Sequence, residues 1–251
     1  MKSEKSPLLG ILGGLGPMSS VYFYELLTSR TKAERDAEHI DLLLSSRAST
    51  PDRTAFLLGR SEESPLPIMR EEVLRLCRAG ADLIVIPCNT AHSFYRDLQK
   101  DCPVPILNIV SETVEHLFRQ GIKTFGLLAT EGTVLSGSYP HFCKEKGMVC
   151  IPPSPEEQAL ITSLIYDKIK QNKEVDERDL LSVVERMKSR GCERVVLGCT
   201  ELSLIKRRVA SDPSLVDSLE VLAYRTILSC KKTPVGFDDS FEPPKTEGVL
   251  S

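Results

Sequence analysis

The feature that most constrains this chain is a segment written twice. Leu83-Ile84-Val85-Ile86-Pro87-Cys88-Asn89-Thr90 has a second copy in Arg194-Val195-Val196-Leu197-Gly198-Cys199-Thr200, and in each a glycine (Gly80, Gly191) stands eight residues before the cysteine. Each copy is an apolar, β-branched run that leads to a thiol followed by small polar residues. In a parallel sheet the carboxyl ends of the strands are where ligands bind, because loops and helix N-termini converge there. Two such ends can put two thiols on opposite sides of one small molecule.

The repetition extends upstream. Thr124-Phe125-Gly126-Leu127-Leu128-Ala129-Thr130-Glu131-Gly132-Thr133 parallels Leu9 to Pro17, with a glycine inside the strand and another six residues later (Gly10/Gly16, Gly126/Gly132). The copies are offset by 116 residues at these glycines and by 111 at the cysteines, an approximate duplication. Between the marks, strands and helices alternate. Strands are expected at Leu8–Leu12, Ile40–Leu44, the first cysteine segment, Val104–Ile109, Thr124 onward, Val149–Ile151 and the second cysteine segment. A helix is expected from Ser19 or Ser20, taken as N-caps, with Val21, Tyr24 and Leu27 facing inward. Further helices are expected at Pro67–Ala79 (closed by Gly80), Ala91–Lys100, Ser111–Gln120, Glu156–Lys170 and Glu177–Arg190. A last one, Ser214–Ser229, has Leu215, Leu219, Leu222 and Ile227 inward. This is an α/β protein of two similar lobes, each a parallel sheet flanked by helices, with a ligand cleft between them.

Composition narrows the function. With 251 residues, 41% hydrophobic and 27% charged, and a formal net charge of −3, the chain has no electrostatic footprint for nucleic acid or an anionic membrane. It has no run of about 18 apolar residues, and Met1–Ser6 lacks the apolar core of a signal peptide, so a cytoplasmic location is expected. The eight cysteines include no C-x-x-C pair and no histidine at zinc-ligand spacing, so neither a metal nor a disulfide framework is expected. Gly13-Gly14-Leu15-Gly16-Pro17 lacks the G-x-G-x-x-G spacing of a dinucleotide loop and reads as close strand–helix passage. Arg53 reads either as a solvated charge or as a carboxylate clamp, to which its planar fork is suited. The stretch from Lys231 to Ser251 reads as a loosely ordered tail.

Two thiols facing across a cleft can invert an α-carbon without a cofactor: one thiolate removes the α-proton from one face while the other thiol protonates the opposite face. The α-proton of a carboxylate is a very weak acid, so the base must be desolvated and donors must meet the growing enediolate charge. A free thiol titrates at about 8.5, near enough to neutrality for the roles of base and acid to be divided by modest tuning. Asn89, Thr90, Thr130, Thr133 and Thr200, beside the sulfurs, supply the donors. Burial of both thiols in a purely structural role, and their oxidation to a disulfide, are the competing readings.

These residues resemble the aspartate/glutamate racemase family, whose members need no pyridoxal phosphate. The resemblance covers about residues 8–225 and rests on Gly-Gly-Leu-Gly-Pro (13–17), Pro-Asp-Arg-Thr (51–54), Pro-Cys-Asn-Thr-Ala-His (87–92), Leu-Leu-Ala-Thr-Glu-Gly-Thr (127–133), Ile-Tyr-Asp-Lys-Ile-Lys (165–170) and Leu-Gly-Cys-Thr-Glu-Leu (197–202). It is similar to aspartate racemases more than to glutamate racemases, since Glu201 follows Cys199-Thr200 where the latter have histidine. The resemblance implies pseudo-twofold lobes (7–112 with 210–230, and 113–209), the C-terminal helix returning to the first lobe, and a homodimer. It implies Cys88 and Cys199 as the acid/base pair, with Arg53 and Lys170 holding carboxylates of an acidic amino acid. His92 and Glu201 stand near the thiols and are candidates to tune them. Ser46-Arg47-Ala48 departs from the family's Asn-Asn-Pro-like segment, and no proline follows Asp217. Hydantoin racemisation, maleate isomerisation and non-catalytic binding of acidic amino acids are the alternatives.

Overall fold

The computed structural model describes residues 6–208 and 212–241. Its strands and helices follow one another as β1 (Leu9–Gly13), α1 (Pro17–Ser29), β2 (Leu42–Ser46), α2 (Arg53–Leu57), α3 (Leu66–Arg78), β3 (Leu83–Val85), α4 (Tyr95–Asp101), β4 (Ile106–Leu107) and α5 (Ile109–Arg119). The second half runs β5 (Thr124–Leu128), α6 (Glu131–Leu135), α7 (Ser138–Lys146), β6 (Val149–Ile151), α8 (Pro155–Ser163), α9 (Glu177–Ser189), β7 (Arg194–Leu197), α10 (Thr200–Lys206), β8 (Leu215–Asp217) and α11 (Ser218–Ser229). Two four-stranded, wholly parallel sheets result, ordered β2-β1-β3-β4 and β6-β5-β7-β8. The order is the same in both, so the duplication legible in the sequence is a duplication of topology.

The helices after the fourth strands exchange partners. Helix α11 packs on α1, α5 packs on α7, and α5 and α11 pack on each other. A single apolar core therefore runs through both halves, with Leu9, Phe23, Val110, Phe125, Tyr139 and Leu219 all fully buried in it. Burial of such side chains contributes about 1.5–3 kcal/mol each. Each sheet has a further core on its other face, one around Met69, Ile84 and Ile86 and one around Val183, Val195 and Leu197.

Several expectations need correction. Helix α1 starts at Pro17, with Gly16 as N-cap, because proline's fixed φ suits the first helical position. Ser20 lies inside its first turn, where its hydroxyl accepts the Gly14 N–H at 2.9 Å and donates to the Gly16 carbonyl at 3.0 Å. The inward face is Tyr22, Phe23, Leu26 and Leu27, whereas Val21 and Tyr24 are exposed. Leu215 belongs to β8, not to the last helix, because the Asp217 side chain accepts the Leu219 N–H and starts α11 there. Pairing of β8 with β7 puts 215–217 in the second sheet, so the return to the first half begins at Ser218 rather than at 210. The stretch Glu156–Lys170 is not one helix: after α8 the chain widens into a π turn (Leu164–Lys168) and tightens into a 3-10 turn (Ile169–Gln171). Residues 231–241 are packed rather than loose: Pro234 bridges Thr31, and Phe237 and Phe241 lie against Tyr224 at 5.2 and 5.1 Å between ring centres. The rest of the expected tail, 242–251, lies outside the described residues. No helix among the described residues is long and apolar enough to cross a membrane.

Candidate active site

The carboxyl ends of β3 and β7 meet at one polar chamber. Cys88 reaches it from the loop after β3, and Cys199 from the residue that precedes α10; both thiols are buried. Three hydrogen bonds tie the loops together. Ser218 Oγ accepts the Asn89 amide at 2.9 Å and donates to the Leu197 carbonyl at 2.7 Å, and Thr200 Oγ1 donates to the Pro87 carbonyl at 3.2 Å. The spacing of the two thiol-bearing loops is thus set by buried hydrogen bonds between the halves.

The expected site residues are brought together with one exception. Thr90, Thr130, Thr200, Asn89, Arg53 and Lys170 all line the chamber, while Thr133 does not. Thr133 supports it instead, since its hydroxyl lies 2.9 Å from that of Thr90 and 3.1 Å from that of Thr130. Asn89 accepts the Tyr139 hydroxyl at 2.8 Å, so both ends of its amide are held. Arg53 is buried, not solvated. Its Nη1 donates to the Thr50 and Pro51 carbonyls (3.3 and 3.1 Å) and its Nη2 to the Leu15 carbonyl (2.7 Å), which leaves Nε without a partner. Arg47 pairs with the buried Glu72 at 3.5 Å and is not on the chamber wall.

Asp52, Tyr166 and Glu201 complete the wall. Asp52 caps α2 by accepting the Ala55 N–H at 2.8 Å, and also accepts Lys170 Nζ at 3.4 Å and the Tyr166 hydroxyl at 3.3 Å. Its role as N-cap is a readable signal for a polar residue at the start of a helix, but nothing local in the sequence announces its reach to Lys170. Glu201 accepts the Cys199 thiol at 2.9 Å. A Cβ on Gly16 would lie 2.4 Å from Glu201 Oε1, and one on Gly132 would lie 2.9 Å from Thr54 Cα. The two glycines equivalent by duplication thus each make room for the opposite half. His92 is buried and does not line the chamber. Its Nδ1 lies 2.8 Å from the Cys88 carbonyl, and its Nε2 is 3.3 Å from the Ile109 N–H, which fits a neutral ring protonated at Nδ1.

Electrostatics separate the two thiols. Burial pushes Cys88 up, Arg53 and Lys170 oppose the rise, and Glu201 adds to it. Burial drives Cys199 well above the ordinary thiol range; Glu201 adds both by its charge and by accepting the S–H, and Lys170 opposes the rise here too. Burial pulls Lys170 down, yet Glu201, Tyr166, Asp52 and Cys199 outweigh it and hold its pKa above the ordinary lysine value. Burial works against the charge of Asp52, but the Ala55 N–H, Lys170 and Arg53 keep its carboxyl below the usual range. The chamber is small: about 10 Å³ is free, no more than about one water requires.

The chain is a duplicated α/β scaffold with one cysteine from each half at a polar chamber, the two-lobed arrangement of the racemase class of isomerases. It belongs to the Asp/Glu/hydantoin racemase family, whose sequence pattern matches residues 12–226. It is similar to the broad specificity amino-acid racemase RacX of Bacillus subtilis, 27% identical over 226 residues that span 88% of this chain and 96% of that one. Among solved structures, the aspartate racemase of Picrophilus torridus superposes with a TM-score of 0.77 at 29% identity, covering 91% of this chain and 96% of that one. The glutamate racemase of Corynebacterium diphtheriae is 27% identical over 219 residues, 78% of each chain.

Proposed function

We propose that this racemase interconverts L- and D-aspartate, with glutamate the alternative acidic substrate, by proton transfer between Cys88 and Cys199 across the α-carbon and with no cofactor. The observation that supports it is the entry of one thiol from each duplicated strand end into a single chamber whose wall carries Arg53 and Lys170. Cys88, which feels Arg53 in addition to the Lys170 that acts on both thiols, ionises first and acts as base; Cys199, held protonated beside Glu201, acts as acid. The Cys88 thiolate takes the α-proton, the carbanion's charge spreads onto the carboxylate, and Cys199 delivers its own proton to the opposite face. The enzyme is left with its thiol and thiolate exchanged, ready for the reverse direction. Donors from the Thr90 and Thr130 hydroxyls and the free N–H of Arg53 oppose the developing negative charge, where fixed dipoles in a dry site act most strongly. The similarity to an aspartate racemase over nearly the whole chain, and Glu201 after Thr200, favour aspartate. The same reading has the protein cytoplasmic and dimeric, and light scattering measures the second point.

The test is chiral chromatography of L-aspartate and L-glutamate incubated with enzyme and reductant in deuterated water. Racemisation with deuterium at the α-carbon is expected. Thermal stabilisation by either amino acid with no loss of optical rotation identifies a binding protein instead.

A pH dependence follows from the thiol environment. The active form needs Cys88 ionised, and its pKa is raised, so kcat/KM is expected to climb as pH rises past the free-thiol value of about 8.5. The charge of Glu201 contributes to the rise at both thiols. Glu201→Gln is therefore expected to move this limb to lower pH, as read from the pH–rate profile and from thiolate absorbance. Loss of activity at every pH with the limb unmoved assigns Glu201 a packing role only.

A further inference from the structure

Six cysteines lie outside the thiol chamber, and two of them touch. Cys77 Sγ lies 3.6 Å from Cys102 Sγ, and both are free thiols. Cys77 sits in the last turn of α3, and Cys102 caps the carboxyl end of α4, 25 residues further on. Cys77 is partly exposed, whereas Cys102 is buried in the apolar core around Met69 and Ile84.

The surroundings hold this contact in place. Arg70 of α3 pairs at 2.8 Å with Asp101, the neighbour of Cys102. Behind Cys102, the Gln99 amide donates to the Cys102 and Val104 carbonyls (3.3 and 3.0 Å) and accepts the Ile106 N–H at 2.8 Å. The Val104 carbonyl also accepts the Cys102 S–H at 3.1 Å, but Gln99 still serves it once that proton is lost. Removal of both S–H groups therefore strands no buried acceptor, and a bond between the sulfurs avoids the usual penalty of an orphaned polar group.

We infer that Cys77 and Cys102 form an intrachain disulfide by exchange with a small-molecule disulfide, which reversibly fastens α3 to α4. Cys77 is the sulfur that solvent reaches. Its thiolate attacks the small disulfide, forms a mixed disulfide and releases one thiolate. Cys102, already in contact, gives up its proton and attacks the Cys77 sulfur, which releases the second small thiol. Two electrons pass from the protein thiols to the small disulfide, which leaves as two thiols. Burial, and after it the neighbouring Cys102, push Cys77 up to about 11 against the charge of Arg78. Thiolate is then scarce at neutral pH, and the exchange runs over hours. The bond closes a stretch of chain that contains β3 and the Cys88 loop, so it restricts the unfolded state there. Neither sulfur lines the chamber, and the inference stands independently of the racemase reading.

In the test, the full chain is incubated with glutathione disulfide at mildly alkaline pH for hours, alkylated in denaturant, digested with trypsin and read by mass spectrometry. The expected product joins Leu76–Arg78 to Asp101–Arg119, lighter by two hydrogens than the two reduced peptides, and dithiothreitol removes it. Tm is expected to rise by about 3–10 °C, the scale for closing a loop of this length in a chain of this size. Cys77→Ser and Cys102→Ser, each close in size to the thiol it replaces, are expected to lose both the cross-link and the rise. Eight free thiols, or glutathione retained on Cys77 with no cross-link, overturn the inference, as does a Cys88–Cys199 bond formed in its place. A cross-link that leaves Tm unchanged or lowers it overturns the fastening of α3 to α4. A rise in Tm that survives Cys102→Ser overturns it too, because the rise then comes from another site.

Discussion

Cys88→Ala and Cys199→Ala are each expected to lower racemisation of aspartate by about a thousandfold, within the range that a positioned acid or base contributes. The reason is that inversion needs both faces of the α-carbon served at once, and an alanine neither takes nor gives a proton on the face it occupies. The two variants differ in what remains. With Cys199 gone, Cys88 can still lift the α-proton of one enantiomer and return a deuteron to the same face; with Cys88 gone, only the other enantiomer can exchange. Deuterium washed into opposite enantiomers by the two variants, with no inversion in either, is the signature to look for by mass spectrometry after chiral separation. Either alanine variant that racemises at the wild-type rate ends the two-thiol mechanism.

Gly14→Ala is expected to cost about 3 kcal/mol of stability, from a strained backbone and a steric overlap together. Gly14 has φ +82°, and a Cβ there would stand 2.5 Å from the Arg47 nitrogen and 2.7 Å from that of Ala48, both main-chain atoms that cannot swing aside. For a chain of this size the loss corresponds to a fall in Tm of about 6–12 °C. Gly59→Ala is the control: φ is +68° but nothing lies within 4 Å, so only the conformational cost of about 1 kcal/mol applies. Equal Tm values for the two variants mean that the loop after β2 yields. Activity is expected to fall with Gly14→Ala as well, because the carbonyls of Leu15 and Thr50 that hold Arg53 sit on the two loops forced apart.

Much of the site was legible because the duplication is written in the residues themselves. Equivalent runs reach equivalent cysteines, and one strand order repeated in two sheets carries both to the same kind of loop. Thr90, Thr130 and Thr200 followed, being the polar residues at those ends. Local pattern misled where two faces of one segment were comparably apolar: Val21 and Tyr24 fit a helical stripe as well as Phe23 and Leu26 do, and contact with α11 decided between them. It misled again where a cap outranked periodicity, as Asp217 did at the start of α11.

By itself, the sequence determined the class of fold, the doubled strand-to-thiol arrangement and most of the polar groups that go with it. Those features are set by residues close together in the chain, through strand and helix periodicity and turn chemistry. Only the tertiary structure decided that Asp52 meets Lys170, that Glu201 rests on Gly16 and holds the Cys199 proton, and that Ser218 fastens both thiol loops. Most of these join residues more than a hundred positions apart. Their energy depends on distance and desolvation, and neither quantity exists until the two sheets are packed around their common core.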